Sequence, residues 1–296
     1  VSKIFEALRK TEGSVAEVAM SVLGDDMPVE STAGEAPNVS EAPAPQPVKE
    51  IQQAVLPHHY ETREEEVHIP AHSPMLPFDG CDTRAAEQYR IIRTKLRHHP
   101  EQPRTLLVSS PMPGDGKTVT AANLAGVLAL QEDIRVLLVD CDFRRSSLTK
   151  LLGLDVGGTP GLAQVIRGEA SLESSLVSIG QFPNLYVLPP GDTGANASEL
   201  LTTARWKALT ELFKQEFRFT IFDAPPVGAV SDYELLQLAC DGVVLVARPD
   251  HTNRQLWRKA LETVPKSKQL GVILNCVEDW FLYRTHDYSY YSQSGS

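Results

Sequence analysis

The segment Ser110-Pro-Met-Pro-Gly-Asp-Gly-Lys117-Thr118 follows the apolar run Thr105–Val108 and precedes a helix-forming stretch, Val119–Leu130. No other feature restricts the fold as tightly. A buried strand, a glycine-rich turn ending in Lys-Thr and a helix make a phosphate-binding loop. Amides of Gly114, Asp115, Gly116, Lys117, Thr118 and Val119 would surround phosphate oxygens. Lys117 would neutralise them, and the Thr118 hydroxyl would ligate Mg²⁺. Pro111 stands where the standard pattern has its first glycine, so Gly114, Gly116, Lys117 and Thr118 carry the signal.

The rest of the chain fits a strand–helix alternation around that loop. The apolar runs predict strands at 105–109, 136–140, 185–188, 220–223, 242–247 and 271–275. Helical patterns fall near 82–98, 118–130, 146–152, 161–167, 197–215, 232–239 and 253–263. Continuous apolar strands separated by helices indicate an α/β fold with a mostly parallel sheet covered on both faces. Ligands bind such a sheet outside the carboxyl ends of its strands. Three segments place chemistry there. The first is the phosphate loop. The second is Leu137-Leu-Val-Asp140-Cys-Asp142-Phe-Arg-Arg145, whose two carboxylates alternate onto one side. The third is Phe219-Thr-Ile-Phe-Asp223-Ala-Pro-Pro, where Asp223 closes a buried strand and is expected to hold the Mg²⁺ water shell. Thr118, Asp140 and Asp223 are the candidate metal residues, Lys117, Asp140 and Asp142 the candidate catalytic ones. Asn275, after Gly271-Val-Ile-Leu, is expected to read an adenine edge.

Composition divides the chain. Residues 11–80 hold thirteen acidic and two basic side chains and nine prolines, so this stretch carries −11 while the remainder sums to +1. Such a segment buries too little apolar surface to offset its ordering entropy and is expected to be a linker over 11–81. The folded domain is then 82–280. The acidic balance argues against a nucleic-acid partner, which wants a basic stripe. The four cysteines, at 81, 141, 240 and 276, have no metal-ligand spacing and read as reduced thiols. With no run of eighteen apolar residues and no signal peptide visible, the expectation is a cytoplasmic chain. Residues 1–10 put Ile4, Phe5 and Leu8 on one side of a short amphipathic helix, either a docking element or a frayed end. At the other end, Tyr283, Tyr288, Tyr290 and Tyr291 lie in a polar, Ser-rich stretch, 281–296, that no core pattern explains. They are candidate phosphate acceptors on a tail.

Taken together these residues resemble the bacterial tyrosine kinases of capsule and exopolysaccharide synthesis. The likeness spans 82–296. It rests on Pro113-Gly-Asp-Gly-Lys-Thr118, Val139-Asp-Cys-Asp-Phe-Arg144, Ile221-Phe-Asp-Ala-Pro-Pro226 and the tyrosine cluster. The opening and long linker look like the stand-alone kinases found beside chain-length determinant proteins, including those linked to exosortase systems. The resemblance implies ATP and Mg²⁺ as cofactors and transfer of the γ-phosphoryl group to the tail tyrosines. It also implies self-association in a ring through Glu87-Gln-Tyr-Arg90-Ile-Ile-Arg93. The implied partners are the cytoplasmic tail of a membrane chain-length determinant protein, which would recruit the chain to the inner membrane, and a cognate tyrosine phosphatase. The family is related to the MinD/ParA type of P-loop ATPase. The alternative reading is therefore an ATPase switch without tyrosine kinase activity, but that group usually has a lysine where this chain has Met112.

Overall fold

The computed structural model describes residues 62–68, 83–132, 134–192, 194 and 197–277. The expected amphipathic N-terminal segment, most of the expected linker and all four tail tyrosines lie outside the described residues.

Eight strands form one sheet: β1 (Arg63–Glu65), β2 (Thr105–Ser109), β3 (Val136–Asp140), β4 (Val177–Ile179), β5 (Phe182–Leu188), β6 (Phe219–Asp223), β7 (Gly242–Ala247) and β8 (Gln269–Leu274). Their spatial order is β1-β4-β5-β3-β6-β2-β7-β8. Strands from β5 to β8 in that order run parallel, and β4 pairs antiparallel with β5. This is the expected mostly parallel sheet. β2, β3, β6 and β7 are buried along their whole length, which is why they read as unbroken apolar runs rather than alternating ones.

Alternate side chains feed two cores. On one face Leu106, Val108, Leu138 and Ile221 pack against helices α1 (Thr83–Arg97) and α2 (Lys117–Ala129). α2 lies between sheet and α1 and is buried on nearly every side, so its sequence is mostly small residues with a few branched ones. On the other face Leu107, Val139, Phe222 and Leu245 pack with Trp206, Phe213, Tyr233 and Trp257. The Trp206 and Phe222 rings meet edge to face at 5.9 Å. Between β3 and β5 lie three short helices, α3 (Leu148–Leu152), α4 (Leu162–Arg167) and α5 (Leu172–Ser175).

Two expectations are corrected. The helix expected over 197–215 is two, α6 (Ala197–Leu200) and α7 (Ala204–Glu216). Thr203 begins the second, its hydroxyl accepting from the Trp206 amide at 3.1 Å. The linker expected over 11–81 contains β1. Its backbone pairs with β4, and the Gln181 side chain accepts from the Val67 amide at 2.9 Å and donates to the Val67 carbonyl at 3.3 Å. Val67 packs at the edge of the core. A three-residue strand held by backbone bonds needs little apolar sequence, so composition averaged over seventy residues conceals it. The remaining helices are α8 (Ser231–Ala239) and α9 (Arg254–Thr263).

Candidate active site

β2 and β3 are consecutive along the chain but separated in the sheet by β6, so the loops leaving them diverge over the end of β6. The three carboxyl ends are stitched together. The Cys141 amide donates to the Asp223 carbonyl at 2.9 Å, the Ala224 amide to the Val108 carbonyl at 3.1 Å, and Ser109 Oγ to the Pro225 carbonyl at 2.7 Å. Asp140 and Asp223 are direct partners in the β3–β6 register, which sets two carboxylates side by side without solvent.

The glycine-rich turn is held from beneath. Gly114 and Gly116 have φ of 89° and 95°, a region that side chains with a Cβ avoid. A Cβ on Gly116 would also fall on the Asn275 amide nitrogen. That nitrogen donates to the Asp115 carbonyl at 3.1 Å, and Asn275 Oδ1 accepts from the Cys276 amide. Asn275, expected to read an adenine edge, thus has its amide on the loop itself. Asp115 is equally committed. Its fully buried carboxylate accepts from the Met112 amide at 3.0 Å, from Thr252 Oγ1 at 2.7 Å and from His251 Nδ1 at 2.9 Å. The loop is therefore clamped to the β7–α9 turn, 136 residues away in sequence.

Above this frame Lys117 Nζ lies 2.9 Å from Asp142 Oδ2 and 3.5 Å from Asp223 Oδ1. Burial works against its charge, but Asp223, Asp142 and Asp140 outweigh that and raise its pKa above the ordinary lysine value. Asp140 is pushed up to about 7, first by burial and then by Asp223. Asp223 is pushed up to about 6, again by burial first, with Lys117 and Thr118 opposing. The two catalytic candidates on the β3 loop separate here. Both Asp140 oxygens are occupied, Oδ1 by the Asp142 amide at 3.1 Å, Oδ2 by Ser146 Oγ at 2.8 Å and the Leu148 amide at 3.4 Å. Asp140 folds the loop. Asp142, by contrast, reaches a cavity of about 580 Å³ shared with Gly114, Gly116, Lys117 and Thr118. Its Oδ1 accepts from the Arg145 amide at 3.1 Å.

The site fits a divalent cation. Two carboxylates, of Asp142 and Asp223, face one lysine, and the buried Asp223 Oδ2 has no hydrogen-bond partner among the described residues. A buried carboxylate oxygen left alone is costly unless positive charge or water reaches it. Thr118 Oγ1 lies within 3.5 Å of Ser147 Oγ, at the same end of the cavity. Among the described residues no three His, Cys, Asp or Glu side chains converge as a ready-made cage. That suits Mg²⁺, which takes one or two protein ligands and fills the rest with water and phosphate.

Sequence reasoning missed Ser146, Ser147, His251 and Thr252, which hold the site's carboxylates and hydroxyl in place. A Ser-Ser pair or a His-Thr turn carries no signal until the fold brings it to an aspartate. It missed as well the apolar side of the cavity, lined by Leu151, Pro225, Pro226 and Val230. On α1, Glu87 and Arg90 pair with each other at 3.1 Å, and Arg93 donates to the Val127 carbonyl at 3.4 Å.

Comparison with known proteins agrees with this geometry. Residues 104–269 match a family model described as an AAA domain. Tyrosine-protein kinase YwqD of Bacillus subtilis is 35% identical over 210 residues, covering 70% of this chain and 86% of that protein. Tyrosine-protein kinase CpsD of Streptococcus agalactiae is 33% identical over 198 residues, or 66% of this chain and 85% of that one. The kinase domain of Escherichia coli tyrosine kinase ETK superposes with a TM-score of 0.62 at 26% identity, covering 72% of this chain and 88% of that domain. The phosphate loop, the paired aspartates and the sheet that presents them, together with these likenesses, show that the chain belongs to the bacterial tyrosine-protein kinase family.

Proposed function

We propose that this chain is an ATP-dependent autokinase that phosphorylates its own C-terminal tyrosines, Tyr283, Tyr288, Tyr290 and Tyr291, and through them regulates exopolysaccharide polymerisation and export. The observation that carries the reading is the Lys117 ammonium, held between Asp142 and Asp223 at the floor of a cavity whose rim is the phosphate loop. Amides of Gly114 to Val119 bind the phosphates, and Lys117 neutralises and orients the terminal one. Thr118 and Asp223 hold Mg²⁺, with Asp140 behind them; the ion, when bound, offsets phosphate charge. Asp142 is the group that reaches the cavity, so it orients the tyrosine hydroxyl and accepts its proton. A free phenol has a pKa near ~10, and this activation is what the site must supply.

Self-association runs through Glu87, Arg90 and Arg93, of which Glu87 is exposed and Arg90 half-buried. Among the described residues no helix is long and apolar enough to cross a membrane. Recruitment to the inner membrane is assigned to the cytoplasmic tail of a membrane chain-length determinant protein, and reversal to a tyrosine phosphatase. The test is to incubate pure protein with Mg²⁺-ATP, with and without such a tail, map phosphotyrosine and measure free phosphate. Phosphate release without phosphotyrosine would identify an ATPase switch instead. Lys117→Met should abolish labelling while the far-ultraviolet circular dichroism is retained. Normal labelling by the folded variant rejects the assignment.

A further inference from the structure

The cavity has a second half that a triphosphate does not need. Besides the phosphate loop it is lined by Leu151, Pro225, Pro226 and Val230, and Leu151 is 38% exposed although apolar. Two guanidinium groups, of Arg144 and Arg145, flank this wall. Arg144 is paired from one side: its Nε lies 3.3 Å from Asp232 Oδ2, and the buried Asp232 carboxylate in turn accepts from Ser198 Oγ. Its Nη groups, like the whole Arg145 guanidinium, have no acceptor among the described residues. An aromatic ring matches the wall, and an anionic group beside that ring matches the arginines.

We infer that this half of the cavity is the acceptor slot and that Arg144 and Arg145 select the tyrosine preceded by a carboxylate, which in this chain is Tyr288. The inference rests on the kinase reading above and deepens it. Between residues 281 and 296 the one acidic side chain is Asp287 and the one Lys or Arg is Arg284, immediately after Tyr283. Asp287 beside Tyr288 brings negative charge to the two arginines. Arg284 brings like charge and disfavours Tyr283, while Tyr290 and Tyr291 have no charged neighbour. With the ring on the apolar wall, its hydroxyl faces Asp142. The phenol oxygen then forms the new bond to the γ-phosphorus as the bond to the β–γ bridging oxygen breaks. ADP departs with that electron pair, and the phenol proton passes to Asp142.

The test presents the full chain and Mg²⁺-ATP with a synthetic peptide of residues 282–293 or its Asp287→Asn form. The peptide should be modified first at Tyr288, and Asp287→Asn should lower kcat/KM at that position by about 5- to 10-fold, the worth of one charge-assisted contact. In the Arg144→Gln/Arg145→Gln enzyme the two peptides should fall within about 2-fold of one another, because the contact is gone. An Asp287→Arg peptide should regain Tyr288 labelling on Arg144→Glu/Arg145→Glu enzyme relative to the unaltered enzyme. Equal kcat/KM for both peptides on the unaltered enzyme, with phosphotyrosine formed, overturns the selection by Arg144 and Arg145 and leaves the kinase reading standing. Phosphotyrosine on neither the peptides nor the chain overturns both.

Discussion

Asp140 offers a measurement of how the site stores charge. Its pKa rises from 3.8 to about 7 because burial and the neighbouring Asp223 outweigh the Ser146 hydroxyl, the Asp142 amide and Lys117, which oppose the rise. The folded protein therefore holds a proton on Asp140 that the unfolded chain has already released. Stability falls as pH rises from the unfolded value through the folded one, and the full shift corresponds to about 4 kcal/mol at ~1.4 kcal/mol per unit. Some two units of that window lie above pH 5, so the free protein should lose about 3 kcal/mol between pH 5 and pH 8 from this group alone. Asp140→Asn removes the titration. It also replaces an acceptor by an amide toward the Leu148 N–H, a loss of about 1–2 kcal/mol. The variant should match wild type near pH 5 and be more stable by roughly 2–3 kcal/mol at pH 8. Asp223, raised by the same cause, moves in the same direction in both proteins. Urea unfolding of the two proteins at both pH values, without magnesium or nucleotide, gives the comparison. Adding magnesium should shrink the gap by favouring the ionised carboxylates. Parallel pH profiles, or a steeper loss in the variant, would refute the argument.

Three further perturbations probe the frame. Gly116→Ala forces a Cβ into a φ of 95° and onto the Asn275 amide, and should cost about 2–3 kcal/mol by thermal or urea unfolding; Asn275→Ala added to it should recover part of that. Asp115→Ala strands the Met112 amide, His251 and Thr252 at once and should cost about 2–4 kcal/mol, with nucleotide affinity by calorimetry falling alongside. Thr203→Ala removes the cap that starts α7 and should cost about 1 kcal/mol with the site's nucleotide affinity preserved.

The sheet was legible because its central strands are buried on both faces and so appear as contiguous apolar runs; Val136–Asp140 and Gly242–Ala247 were placed to the residue. The phosphate loop was legible because only a few residue types permit an anion to approach backbone so closely. Less visible was whatever depends on long-range pairing. β1 borrows its register from β4 and its anchor from Gln181, neither of which marks the sequence at Arg63. The break between α6 and α7 rests on two threonine hydroxyls, of Thr202 and Thr203, within a continuous helical pattern. Alternation placed Asp140 and Asp142 on one side, yet their tasks diverge because the chain leaves the strand after Asp140. Ser146 and Leu148 close over the first carboxylate and leave the second facing the cavity.

That divergence explains why the loop carries two aspartates rather than one. A carboxylate that folds a loop by accepting from three donors cannot also move freely to a substrate, and one that reaches a substrate cannot be fully enclosed. Asp140 is held by the Asp142 amide, so the buried residue positions the cavity-facing one through a single 3.1 Å bond. The Cys141 side chain between them is buried in the core formed by Leu107, Val139 and Phe222. Charge follows the same division. The enclosed pair, Asp140 and Asp223, is raised in pKa by burial, while Asp142 takes the short contact to Lys117. An incoming phosphate that draws Lys117 toward itself therefore loosens Asp142 first. In the mechanism proposed above the group released is the proton acceptor, so occupancy of the phosphate loop and readiness of Asp142 are linked through one ammonium.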